Sequence, residues 1–217
     1  MTAPLLQNSL ARLLTEVEHY YTKKVVAHGA APLGVDWSCV PTQEMRFAQL
    51  LKLCDFASPV SLNDIGCGYG ALLAFLAKRY RGKRINYLGV DLSPAMIAQA
   101  RALWRKRAHA AFATAGARPR IADYSVASGV FNVKLTQPVE LWEQFVSMTL
   151  ADMNATSRRG FAVNFLAPLP PDMLHTPELY RVAPDVWGTH CEKTFGSTVE
   201  VIGGYGMREY TLLVRRS

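Results

Sequence analysis

The sequence has no apolar run long enough to cross a membrane: its longest uninterrupted one, Ala71 to Ala77, is far short of the roughly 20 residues a spanning helix needs. It opens without a basic segment leading into an apolar run and a small-residue cleavage site, and Arg12, Glu16 and Glu18 interrupt the one candidate helix. A secretory leader is therefore not expected, and a cytoplasmic protein is. Cysteine is sparse: Cys39, Cys54, Cys67 and Cys191 form no C-x-x-C pair, which excludes the usual zinc and redox motifs and predicts reduced thiols. No histidine or carboxylate pair has ligand spacing, so no metal is expected. Internal repeats and low-complexity tracts are also absent.

What is there fits one α/β sheet with a terminal elaboration. At 217 residues, half of them hydrophobic and 19% charged, the chain can bury a sizeable core. A net charge of +7 raises nucleic acid as a partner. The cations cluster, however, as Lys78, Arg79, Arg81, Lys83 and Arg84 after one helical stretch and Arg101, Arg105, Lys106 and Arg107 after another. The helix macrodipole favours cations there without any ligand, and no aromatic residues interleave them as single-stranded binding would require.

Hydrophobic periodicity predicts helices over Leu5 to His28 and Thr42 to Cys54, then alternating strands and helices, the pattern of a doubly wound sheet. The series runs strand Val60 to Ile65, helix Ala71 to Arg81, strand Ile85 to Asp91, helix Pro94 to Ala108 and a weak strand near Ala111 to Ala115. It continues with strand Tyr124 to Val130, helix Pro138 to Asn154, strand Gly160 to Leu166 and a short helix near Asp185, and closes on Val199 to Ile202 and Arg208 to Arg215. Residues 1–56 read as a helical cap and 57–217 as the sheet domain. Pro168 to Pro171 begins a long connection on the edge where such sheets place substrate loops.

Asp64-Ile65-Gly66-Cys67-Gly68-Tyr69-Gly70 occupies the bend between the first of these strands and its helix. Glycine permits φ > 0 and close approach of a ligand, and the new helix offers unpaired N–H groups. About twenty residues on, the second strand ends in Asp91, where a carboxylate can accept hydrogen bonds from a ribose. A nucleoside cofactor follows. The spacing Gly66-x-Gly68-x-Gly70 departs from the G-x-G-x-x-G of pyrophosphate sites, which weakens the dinucleotide reading.

Together, Asp64-x-Gly66-x-Gly68-x-Gly70 and Gly89-Val90-Asp91-Leu92-Ser93-Pro94-x-Met96-Ile97 resemble motifs I and II of the class I S-adenosylmethionine-dependent methyltransferases. The chain end, Tyr205 to Arg215, resembles the antiparallel hairpin of that fold. The resemblance implies a Rossmann-like seven-stranded sheet with a C-terminal antiparallel hairpin and an N-terminal helical extension. It also implies S-adenosyl-L-methionine as cofactor, held by Asp64, Gly66, Cys67, Gly68, Asp91, Leu92 and Met96. The C-terminal end of the fourth-strand segment Ala122 to Val133 would face the transferred methyl, where Ser128 could serve cofactor or acceptor and Asn132 the acceptor as uncharged hydrogen-bonding groups, or Ser128-Gly129 could simply start a turn. Cys67 reads either as a reactive thiol at a helix start or as a small residue filling the turn. The family often places an acidic residue after strand three to meet the adenine amino group. Here stands Phe112-Ala113-Thr114-Ala115-Gly116, which leaves backbone near Ala115 for that role.

His19-Tyr20-Tyr21, His28-Gly29, Gly34-Val35-Asp36-Trp37 and Gln43-x-x-Arg46-Phe47 resemble the N-terminal segment of a bacterial methyltransferase subfamily. Tyr20 and Trp37 could pack on the sulfonium or the acceptor, or Trp37 could simply pin a loop. Arg46 could grip the methionyl carboxylate or make a surface ion pair. His28 or His19 could serve as base for a hydroxyl acceptor, or be structural. The leading expectation is an enzyme, monomeric or homodimeric, that methylates oxygen or nitrogen of a small molecule. The alternatives are an RNA methyltransferase using the basic helix ends, against which the lack of an N-P-P-Y-type tetrapeptide at Ser128 to Phe131 argues, and a non-catalytic cofactor-binding module.

Overall fold

A computed structural model describes residues 3–115 and 119–216. Helix α1 (Ala3–His28) is followed by a 3-10 turn (Pro32–Val35), α2 (Val40–Leu50) and a second 3-10 turn (Leu51–Leu53). Then come β1 (Val60–Ile65), α3 (Ala71–Arg79), β2 (Ile85–Asp91), α4 (Pro94–Trp104), β3 (Ala110–Thr114), β4 (Ala122–Ala127) and α5 (Val139–Ala155). The chain finishes with β5 (Ser157–Leu166), α6 (Pro184–Phe195), β6 (Thr198–Ile202) and β7 (Glu209–Arg215). Among the described residues no helix is long and apolar enough to cross a membrane.

The strands form one seven-stranded sheet in the order β3-β2-β1-β4-β5-β7-β6, parallel except for β7, which pairs antiparallel with both β5 and β6. Both faces are covered, so β1, β4 and β5 are nearly continuous buried runs rather than half-polar ones. Strand alternation divides the core. Leu62, Tyr124, Val126, Ala162 and Leu213 face α2, α3 and α4, while Ala127, Phe161, Val163, Phe165 and Leu212 face α1, α5 and α6.

Several boundaries differ from expectation: α2 ends at Leu50 rather than Cys54, β5 starts at Ser157 rather than Gly160, and two others bear on the site and its charges. The fourth strand stops at Ala127 rather than Val130, because Gly129 at φ +74 turns the chain out of the sheet. Helix α4 ends at Trp104 rather than Ala108, leaving Arg105, Lys106 and Arg107 exposed beyond its last turn. Its start is sharp: Pro94 supplies the fixed φ of a first turn, and the Ser93 hydroxyl caps it by accepting from Met96 N–H at 3.2 Å. The prefix does not stand apart from the sheet. Leu13 and Val17 of α1 are buried with Trp142, Val146 and Leu150 of α5, and Phe47 and Leu50 of α2 join the opposite layer.

Candidate active site

The C-terminal ends of β1, β2 and β4 meet where strand order reverses, and the three glycines of the first turn all take positive φ, +69 at Gly66, +53 at Gly68 and +85 at Gly70. A Cβ at Gly66 would lie 2.5 Å from Val130 Cγ2, and one at Gly68 would lie 2.9 Å from Val35 Cγ1, so the turn is roofed closely and only glycine fits under it. Cys67 packs its sulfur into the space beside Gly89 and Phe112, and burial pushes its thiol well up. It fills the turn and is no reactive thiolate. Asp91 is oriented by Gly68 N–H on Oδ2 and Ser93 N–H on Oδ1, each at 2.9 Å. Burial raises Asp91, and those backbone donors oppose the rise. Asp64 accepts from the Tyr87 hydroxyl at 2.5 Å, yet burial still pushes it up to about 7.

Around this turn lies a cavity of about 480 Å³. Asp64, Gly66, Cys67, Gly68, Asp91, Leu92, Met96, Ala115 and Ser128 all line it, and so does Trp37. Gly116, the last residue of the segment considered for adenine, lies outside the described residues. The Ser128 hydroxyl is buried and has no hydrogen-bond partner among the described residues, which leaves it for a ligand. Bare backbone, an oriented carboxylate at the end of β2 and a spare hydroxyl after β4 suit the polar groups of a nucleoside linked to an amino acid.

Other candidates sit elsewhere. His19 and His28 are exposed and outside the cavity lining; His19 lies 3.5 Å from Glu18. Tyr20 also lies outside it and donates to Asp36 Oδ2 at 2.6 Å, and Lys24 pairs with Asp36 at 2.6 Å, which together fix the turn that precedes Trp37. Arg46 is neither a surface pair nor free for a carboxylate. It is buried, and its Nε and Nη2 make a two-pronged bond to the buried Glu209, the first at 2.7 Å. Its guanidinium lies 3.8 Å from the centre of the Trp37 ring. Glu209 also accepts from Asn164 Nδ2 at 3.1 Å, and Asn164 Oδ1 accepts from Gly129 N–H at 2.8 Å. Trp37 is thus clamped between Arg46 and the bare face of Gly129, where a Cβ would fall 2.3 Å from Cζ2 of its ring. Asn132 is buried beneath this turn, its N–H on Gly129 O at 3.2 Å, and does not line the cavity. The connection after Leu166 contributes no lining residue among those described.

Sequence reasoning missed Leu14, Val17, Glu18 and Tyr21 of α1 and Phe145 and Thr149 of α5, which line the same cavity as the glycine turn. The signal was present in the helical spacing, since positions 14, 17, 18 and 21 share one face. A family model described as a methyltransferase domain matches residues 63–152. A relative from Mycobacterium tuberculosis, named as a methyltransferase, is 39% identical over 167 residues, which is 77% of this chain and 99% of its own. The chain belongs to the S-adenosylmethionine-dependent methyltransferases.

Solved structures share the fold of this methyltransferase. Magnesium protoporphyrin IX methyltransferase from Synechocystis, with bound S-adenosylhomocysteine, aligns at TM-score 0.59 and 16% identity over 82% of this chain and 83% of its own. An O-methyltransferase family protein from Burkholderia thailandensis aligns at 0.62 and 13%, over 82% and 57%. The human N-acetylserotonin methyltransferase with S-adenosylmethionine aligns at 0.59 and 15%, over 82% and 55%.

Proposed function

We propose that this methyltransferase acts on oxygen or nitrogen of an apolar, uncharged small molecule that binds against α1 and α5, with residues 1–56 serving as a cap over the site. The observation that carries this is the set of large apolar side chains in the cavity lining. Leu14, Val17, Tyr21, Val130 and Phe145 belong to it, and no lysine or arginine lines the cavity among the described residues, so nothing there would hold an acidic acceptor. S-adenosylmethionine supplies an electrophilic methyl when bound. The chain's own task is alignment, which Val130 and Val35, packed over the glycine turn, and Trp37, held on Gly129, would serve. The Ser128 hydroxyl, buried and without a partner among the described residues, would hydrogen-bond the incoming nucleophile in this reading. No imidazole lines the cavity among the described residues, which favours a neutral amine, whose lone pair needs no prior proton removal, over an aliphatic hydroxyl, with the more acidic phenol between them. Four free cysteines fit work in a reducing cytoplasm.

RNA as acceptor is disfavoured by where the cations are. Lys83, Arg84, Lys106 and Arg107 lie before β2 and β3, at the edge of the sheet opposite Asp91. At ~3.3 Å per residue the length of a strand separates them from the glycine turn by roughly 20 Å. The test is methyl-labelled cofactor offered to phenols, amines, carboxylic acids and RNA in parallel. Label is expected in phenols or amines, and Ser128→Ala should lower kcat while cofactor affinity holds. Label in RNA or in carboxylic acids alone would overturn the proposal.

A further inference from the structure

We infer that Glu18 of α1 is a second carboxylate of the cofactor's nucleoside pocket, taking a hydrogen-bond donor that Asp91 leaves unmet. The inference rests on the cofactor lying over the glycine turn, and it concerns α1, which neither motif contains.

The nucleoside brings more donors than Asp91 can serve. Ribose offers two hydroxyls and adenine an amino group, while a carboxylate has about four lone-pair positions. Asp91 commits at least two of these to Gly68 N–H and Ser93 N–H. The described part of the segment after β3 adds no carboxylate: Thr114 ends the strand, Ala115 follows it, and Pro119 is the next described residue in the lining. Glu18 fills that gap in the fold, for it lines the same cavity as Asp91, Leu92 and Ala115. Its charge is felt at Asp91, where it adds to the effect of burial.

Glu18 is also held rather than loose. Thr22 donates to Glu18 Oε1 at 2.7 Å, so the 2.6 Å contact between Thr22 and Ser93 must be made with the Ser93 proton. Ser93 in turn accepts from Met96 N–H at 3.2 Å. A directed chain of hydrogen bonds therefore runs from the first turn of α4, through the residue two beyond Asp91, to the Glu18 carboxylate. This register fixes α1 against the loop that follows Asp91. Two carboxylates facing one cavity repel until donors come between them, and a nucleoside supplies those donors. The arrangement is unfavourable for the empty protein and favourable for the loaded one, which is how a binding site differs from a structural pair.

Calorimetry with S-adenosylhomocysteine tests this without any acceptor. Glu18→Gln should weaken binding about tenfold, the scale of one lost charge-assisted hydrogen bond at a partly exposed site. Thr22→Val, which cuts the chain that orients Glu18, should weaken it by a smaller factor. Asp91→Ala is the reference: if it leaves affinity intact, the cofactor does not lie over the turn and both the placement and the inference fall. If Asp91→Ala weakens binding and Glu18→Gln binds like the parent, the placement stands and the inference is overturned. Repeating the titrations with S-inosylhomocysteine, which lacks the amino group, assigns the donor. A Glu18→Gln penalty that vanishes with this ligand identifies the adenine amine, and one that persists identifies a ribose hydroxyl; either supports the role. Unchanged circular dichroism of the ligand-free variants, with Glu18→Gln melting no lower than the parent, keeps the comparison one of binding.

Discussion

Burial first, and the Asp91 charge next, push Asp64 up to about 7 although the Tyr87 hydroxyl bond opposes them. The unfolded chain ionises this carboxyl near the ordinary 3.8, whereas the folded one keeps its proton to about 7. Its contribution to stability is therefore fully present below about 3.8 and is lost as pH rises through about 7. Asp64→Asn should flatten that part of the stability profile of the ligand-free protein in urea titrations. A sulfonium cofactor brings positive charge and so favours the carboxylate. Binding of S-adenosylmethionine near neutral pH should release a proton, measurable as a dependence of binding heat on buffer ionisation enthalpy, and Asp64→Asn should abolish it. No buffer dependence in the parent protein would sink the idea. Gly129 carries a second residue-scale expectation. Alanine there must hold φ +74 and meet the Trp37 ring, so Gly129→Ala should cost about 2–4 kcal/mol. Adding Trp37→Ala should recover the part due to the ring and leave the backbone part; strict additivity of the two losses would refute the clamp.

At the scale of elements, α2 is fastened to the last strand by Arg46 and Glu209, residues 163 apart in sequence. Removing one partner of a buried pair leaves an uncompensated charge, so Glu209→Leu should destabilise by ~3–5 kcal/mol, and Arg46→Met with Glu209→Leu should regain most of it. Equal stability of parent and single variant in denaturant would show that the pair is not buried in solution. This staple also shows what could be read in the sequence. β1 and β2 match their expected ends, Val60 to Ile65 and Ile85 to Asp91, because glycine, proline and periodicity are local signals. Asp64, Gly66, Gly68 and Asp91 reached the cavity for the same reason. The role of Arg46 was hidden because its partner is a side chain on another strand, and no spacing encodes that. Glu18 and Tyr21 were legible in principle from the α1 stripe, but a stripe does not say which face of the sheet it covers.

For the whole molecule, charge and chemistry occupy opposite ends of the strands. The exposed cations after α3 and α4 sit at the starts of β2 and β3, and the cavity sits at the ends. Reversing Lys106 and Arg107 to glutamate should therefore leave the affinity for S-adenosylhomocysteine unchanged in low salt; a shift beyond twofold would mean that the basic edge reaches the site. The docking of α1 has a consequence in time. Its contacts with the sheet domain are distant in sequence, 71 residues from Thr22 to Ser93 and 121 from Glu16 to Gln137, and its buried Leu13 and Val17 share a core with Trp142, Val146 and Leu150 of α5. Local strand and helix pairs close sooner than such long loops do. In pulsed hydrogen exchange the amides of α1 should gain protection after those of β1 and β2, so that the helix lining the cavity is a late arrival, exposing an apolar stripe to other proteins while it waits.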